Sequence, residues 1–198
     1  MEEAFRRLLD REAHARLLDE LCRLTREVVE AARVLEPLKP IDEWVRRGGH
    51  WMVELVVLAK PVIVQVRGEL YSISATMAEI RAPGWEGWYL FASPIMMLRG
   101  DDAKRSILAH ELLHAAGIYS EDEADWRVDE AARLRPDLFS KIWYVRTGEA
   151  LLALAAMDFL GADNIIIVPA EPRMRAAATL LFSASVKKPL AYCVERSA

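Results

Sequence analysis

The stretch ILAHELLHAAGIYSEDEADW, Ile107–Trp126, decides how the chain is read. It holds His-Glu-Leu-Leu-His at positions 110–114, and residues four apart on an α-helix share one face. His110 and His114 can therefore aim two imidazoles at one cation. Zinc accepts such nitrogens at about 2.0–2.1 Å, and its catalytic sites use three protein ligands with a fourth position open to water. Glu111 is turned about 100° from His110. That puts its carboxylate beside the open position, as a base for zinc-bound water rather than as a ligand.

The third ligand has to come from outside the pentapeptide. Four acids follow: Glu121, Asp122, Glu123 and Asp125. Ser120 with Glu123 reads as a capping box, and acids in a first turn suit the helix dipole, so a helix from Glu121 to Arg135 is predicted. Glu121 and Asp125 lie one turn apart on one face of it. Glu121 is the favoured ligand, with Asp125 accepting an N–H from a ligand histidine; Asp125, Glu123 and His50 are the alternatives. The geometry requires a sharp turn at Gly117-Ile118-Tyr119. In the helix before it, Asp101 or Asp102 is the expected cap, and Leu108, Leu112 and Ala115 the buried side. Tyr119 could serve as an oxyanion donor, although an exposed turn tyrosine is the plainer reading.

Working outward, Glu2 to about Leu35 has neither Gly nor Pro. Leu18, Leu21, Val28, Ala32 and Leu35 mark one stripe of a long helix. Packing on the chain's own core is the favoured role for that stripe, a homodimer seam the alternative, and His14 reads as a packed histidine. A short helix through Trp44 to Arg47 should stop at Gly48-Gly49. HWMVELVVLAK, 50–60, favours helix by its length. VIVQV, LYSISATM and WYLFASPIMM read as strands, with RAPGWEGW a loop. Farther on come a helix over Glu149–Leu160, a strand NIIIV, an unassigned MRAAATLLFSASV and a last strand LAYCV. This is an α+β chain read as one domain: a helical segment 1–60, a core 61–136 and an α/β extension 137–198.

Composition narrows the function classes. The 198 residues are 53% hydrophobic and 28% charged with a net charge of −4, the profile of a soluble globular protein with no general attraction for nucleic acid. The N-terminus is too interrupted by charge for a signal peptide, and the most apolar stretch, LLALAAMDFLGADNIIIVPA, carries Asp158 and Asp163, so no membrane span is expected. Cys22 and Cys193 match no metal or redox spacing, which leaves a reducing cytoplasm as the default location.

ILAHELLH followed by EDEAD resembles the gluzincin metallopeptidases, in which a His-Glu-x-x-His helix precedes a glutamate helix of the form Glu-x-x-Ala-Asp. The resemblance is closest to the CAAX-type membrane metallopeptidases and their small soluble relatives, the minigluzincins; the ImmA/IrrE-like metallopeptidases carry a similar Glu-x-Glu-Ala pattern. It covers about Trp88 to Leu134. It implies a zincin-like fold, one zinc ion on His110, His114 and Glu121, support from Asp125, and hydrolysis of peptide or protein substrates. The gap from His114 to Glu121 is shorter than in those families and is similar to that of metzincins, whose third histidine would fall on Ser120. In zincin folds an edge strand binds the extended substrate, and GWYLFAS is the candidate strand. Two other readings stay open: a regulatory or sensing protein with a zincin fold and little peptidase activity, and a zinc-stabilised domain without catalysis.

Overall fold

The structure is a computed structural model that describes residues 6–66, 69–82, 85–141, 166–169 and 183–195. The expected helix over Glu149–Leu160 and most of MRAAATLLFSASV lie outside them. Helix α1, Arg11–Ala32, starts where the Asp10 carboxylate accepts the Glu12 N–H at 2.9 Å. Its apolar stripe is buried in the chain's own core, with Leu17, Leu24 and Val29 beside the expected residues. His14 belongs to that packing. Its Nε2–H donates to the Leu8 carbonyl at 2.8 Å and its Nδ1 accepts from the Ser185 hydroxyl at 2.8 Å. Helix α2, Lys39–Arg46, takes Pro40 in its first turn, where no N–H is needed, and ends before Gly48 at φ +80°.

Among the described residues, seven strands follow in two sheets. The larger has the order β4-β5-β1-β7, built from β1 (Val53–Leu58), β4 (Ala75–Ala82), β5 (Trp85–Ala92) and β7 (Ala184–Pro189). β1 runs parallel to β5, and the two outer pairings are antiparallel. The smaller sheet sets β2 (Val62–Val66) between β3 (Glu69–Ile73) and β6 (Ile166–Pro169). The fold is thus mixed α+β with small mixed sheets. The larger sheet draws strands from all three expected segments of the chain.

Several local expectations are corrected. The long N-terminal helix is interrupted by a turn at Leu8-Leu9 and starts at Arg11. LYSISATM is divided between β3 and β4 of different sheets, and WYLFASPIMM is strand only to Ala92, with a 3-10 helix over Pro94–Leu98. HWMVELVVLAK is a 3-10 turn and then strand β1, not a helix. Its apolar run reflects burial on both faces: Val53, Leu55 and Val57 enter the large core, while Val56 and Leu58 enter a second cluster with Tyr89 and Phe91. LAYCV forms a helical turn, α5 (Ala191–Val194), rather than a strand. RAPGWEGW is shorter as a loop than expected, because Arg81-Ala82 and Trp85 onward belong to β4 and β5.

Helix α1 packs across β1 and β7, and helix α3, Asp101–Ala115, packs against α1 and alongside β4. Helix α4, Glu121–Leu134, packs on α3. Cys22 of α1 is bonded to Cys193 of α5. Among the described residues no helix is long and apolar enough to cross a membrane.

Candidate metal centre

Helix α3 is anchored by its buried face. Leu108, Leu112 and Leu113 are fully buried, whereas Ala115 is half-buried. Neither expected aspartate caps it. The N-cap is Gly100, and the Asp101 carboxylate is taken by Arg23 at 2.8 Å. The helix ends in the turn the motif requires. The Gly117 N–H donates to the His114 carbonyl at 3.0 Å and the Ile118 N–H to the Leu113 carbonyl at 2.9 Å, with Gly117 at φ +101°. This is a Schellman closure, and the left-handed residue it needs is the glycine.

The reversed chain then starts α4 at Ser120, whose hydroxyl accepts the Glu123 N–H at 3.3 Å. Only this half of the expected capping box forms. The Glu123 carboxylate instead binds Arg127 at 2.8 and 3.0 Å. Glu121 and Asp125, one turn apart, both reach α3. A Glu121 oxygen lies 3.0 Å from His110 Nε2, its other oxygen 3.5 Å from His114 Nε2, and the two Nε2 atoms are 2.9 Å apart.

The outer contacts orient the two imidazoles. His114 Nδ1 lies 2.7 Å from the Ile118 carbonyl, and His110 Nδ1 lies 2.9 Å from an Asp125 oxygen. The Ile118 carbonyl can only accept, so His114 Nδ1 carries a hydrogen, while His110 sits between two carboxylates, Asp125 at Nδ1 and Glu121 at Nε2. Two imidazole nitrogens and a carboxylate thus converge on one point. The donors of His110, His114 and Glu121 all lie within 4.8 Å of one another, so this set could hold a metal ion. Two histidines and a glutamate form a donor set that zinc takes in hydrolases.

Burial and then the adjacent His114 hold the His110 imidazole below its usual pKa, outweighing Asp125 and Glu121. The ring is therefore neutral near pH 7, the form a ligand needs. Glu111 is buried, and that burial pushes its carboxyl up to about 7, against the pull of His114 and of a backbone amide and aided by the charge of Glu121. The amide is that of Met77 on β4, which donates to Glu111 Oε2 at 2.6 Å.

That bond identifies the strand beside the site. GWYLFAS belongs to β5, which is enclosed between β4 and β1, so both of its edges are used. The edge facing α3 is β4. Backbone direction alternates along a strand, and the Met77 N–H points away from β5. By the same alternation Glu79 and Arg81 present their main-chain groups outward.

Two candidate residues are not among the three that could hold a metal. His50 Nε2 lies 3.1 Å from Glu195 Oε1, at the start of β1, and the side chain of Tyr119 is exposed. The Met77 amide and the Ile118 carbonyl were not foreseen. A backbone group has no signature in sequence, although Gly117 marks the turn that delivers Ile118. Comparison of the chain with protein families, curated proteins and solved structures returns no match.

Proposed function

We propose that this chain is a zinc-dependent metallopeptidase of gluzincin type with a zincin-like fold, acting on peptide or protein substrates. The observation that carries this reading is the convergence of two histidine nitrogens and the Glu121 carboxylate beside a buried, acid-shifted Glu111. A domain that used the ion only for stability would gain nothing from a buried acid at position 111, and burying one without a role costs stability.

His110, His114 and Glu121 would hold the ion, with Asp125 and the Ile118 carbonyl orienting the rings. When bound, zinc supplies a Lewis acid that polarises a carbonyl and acidifies water. Glu111 takes a proton from the attacking water and delivers it to the leaving amine. The outward edge of β4 offers main-chain partners to an extended peptide, and side chains along that peptide set the preference for sequence. The stripe of α1 is spent on the core, so a homodimer through that helix would need another of its faces.

The test is metal content together with cleavage of a diverse peptide library by the full chain. One equivalent of zinc with cleavage lost on chelation is the expected result. Zinc binding with no cleavage of any peptide would favour a regulatory or sensing role.

A further inference from the structure

Cys22 and Cys193 are separated by 171 residues in sequence, yet their Cα atoms lie 4.7 Å apart, within the span of a disulfide. They are the chain's two cysteines, and both are buried. The pair joins α1 to residues 183–195, which run as a strap along the edge of the sheet opposite β4. Strand β7 pairs with β1, and the Leu190 N–H donates to the Val53 carbonyl at 2.8 Å.

The strap is also held by the burial of Leu190 and Cys193 in the large core, by the His14–Ser185 contact and by further polar contacts. Arg26 Nε–H donates to the Cys193 carbonyl at 3.0 Å, Lys188 meets Asp19 at 2.8 Å and His50 meets Glu195 at 3.1 Å. The exposed Lys188–Asp19 pair contributes little. A covalent link closing a long loop removes far more freedom from the unfolded chain.

We propose that Cys22 and Cys193 are an oxidation site whose disulfide permanently staples the strap to α1, and that the protein matures in an oxidising compartment. The step is thiol–disulfide exchange with a disulfide-bearing oxidant. The two protein thiols give up two electrons and two protons, one S–S bond forms in the protein, and the oxidant's S–S bond is reduced to two thiols. The bridge is a staple and not a switch. Both sulfurs are shielded from an attacking thiolate, and the chain has no third cysteine to resolve a mixed disulfide. Absence of a cysteine motif favoured a reducing cytoplasm; the pairing in the fold points the other way, since structural disulfides persist where thiols are not kept reduced.

The experiment counts thiols in the full-length protein after equilibration in a glutathione redox buffer of oxidising poise, then unfolding in denaturant without reductant. No free thiol is expected, and two after a strong dithiol reductant. Native protein in reduced glutathione should keep the bridge for hours, and lose it when denaturant is added. Melting after full reduction, and melting of Cys22→Ala/Cys193→Ala, should both fall by about 5–15 °C. Should the double variant fail to fold, reduction of the wild type gives the same comparison. Two free thiols under oxidising poise, rapid reduction of the native protein by glutathione, or an unchanged melting temperature on reduction would each overturn the proposal.

Discussion

The Met77 amide of β4 donates to Glu111 Oε2 across 2.6 Å, so the outermost described strand of the sheet and the proposed base on α3 are held by one hydrogen bond. The bond fixes one carboxylate oxygen and leaves the other for proton transfer. It also ties the position of the base to the strand proposed to receive the substrate.

Replacing Met77 by proline tests that link. The residue's N–H faces Glu111 and not β5, so the ladder to β5 survives and the fold should melt within a few degrees of wild type. Peptide hydrolysis should drop with metal retained. Ala78→Pro is the contrast, because its N–H faces β5; it should lower the melting temperature clearly. Equal thermal damage from both substitutions would show that the assigned direction of the strand is wrong.

Glu111→Gln keeps the shape of the side chain and removes the base. Zinc content should be unchanged, and hydrolysis should fall by about 10²–10⁴-fold, the usual worth of a general base. Full activity in this variant would remove Glu111 from the mechanism.

Glu121 and Asp125 separate by metal affinity, read with a competing chelator. Asp125→Asn loses the anionic acceptor beside His110 Nδ1 and should weaken binding by about 10–100-fold. Glu121→Ala removes a ligand and should weaken it more. The opposite ranking would exchange their roles.

Gly117→Ala adds a methyl group that meets nothing within 4 Å, so its cost is backbone strain at φ +101° alone. That amounts to about 1–2 kcal/mol. Because the same turn carries the Ile118 carbonyl to His114, zinc affinity should fall together with stability. A variant that melts lower but binds zinc as tightly as wild type would separate the turn from the centre.

The metal-free protein should have a characteristic dependence on pH. Burial raises the Glu111 carboxyl to about 7 from its ordinary 4.5. A raised acid favours the folded state in its protonated form. Its contribution is full below about 4.5, declines as pH rises and is gone above about 7. Thermal melts with chelator present should show stability decreasing across that window, and Glu111→Gln should flatten the slope. A slope of the same size in the glutamine variant would assign it to other groups.

Much of the local structure was legible because it depends on near neighbours. The long α1, the strand VIVQV, the glycine stops at Gly48 and Gly117 and the Ser120 start of α4 follow from periodicity, backbone freedom and side-chain caps. Readings failed where a distant partner intervened. Arg23 took Asp101 away from the start of α3, and Arg127 took the Glu123 carboxylate out of its box. β1 was read as helix because a strand buried on both faces and a buried helix are equally apolar.

For the candidate site, sequence by itself determined that His110 and His114 share a face with Glu111 beside them, since helical spacing allows nothing else. It also brought Glu121 and Asp125 into one stripe. Only the tertiary structure decided that this stripe faces the histidines, that β4 rather than β5 lies next to Glu111, and that Cys22 meets Cys193. The physical reason is reach. Helix periodicity and turn chemistry act over a few residues, whereas strand order and the pairing of remote side chains depend on how separate elements pack to bury their apolar faces.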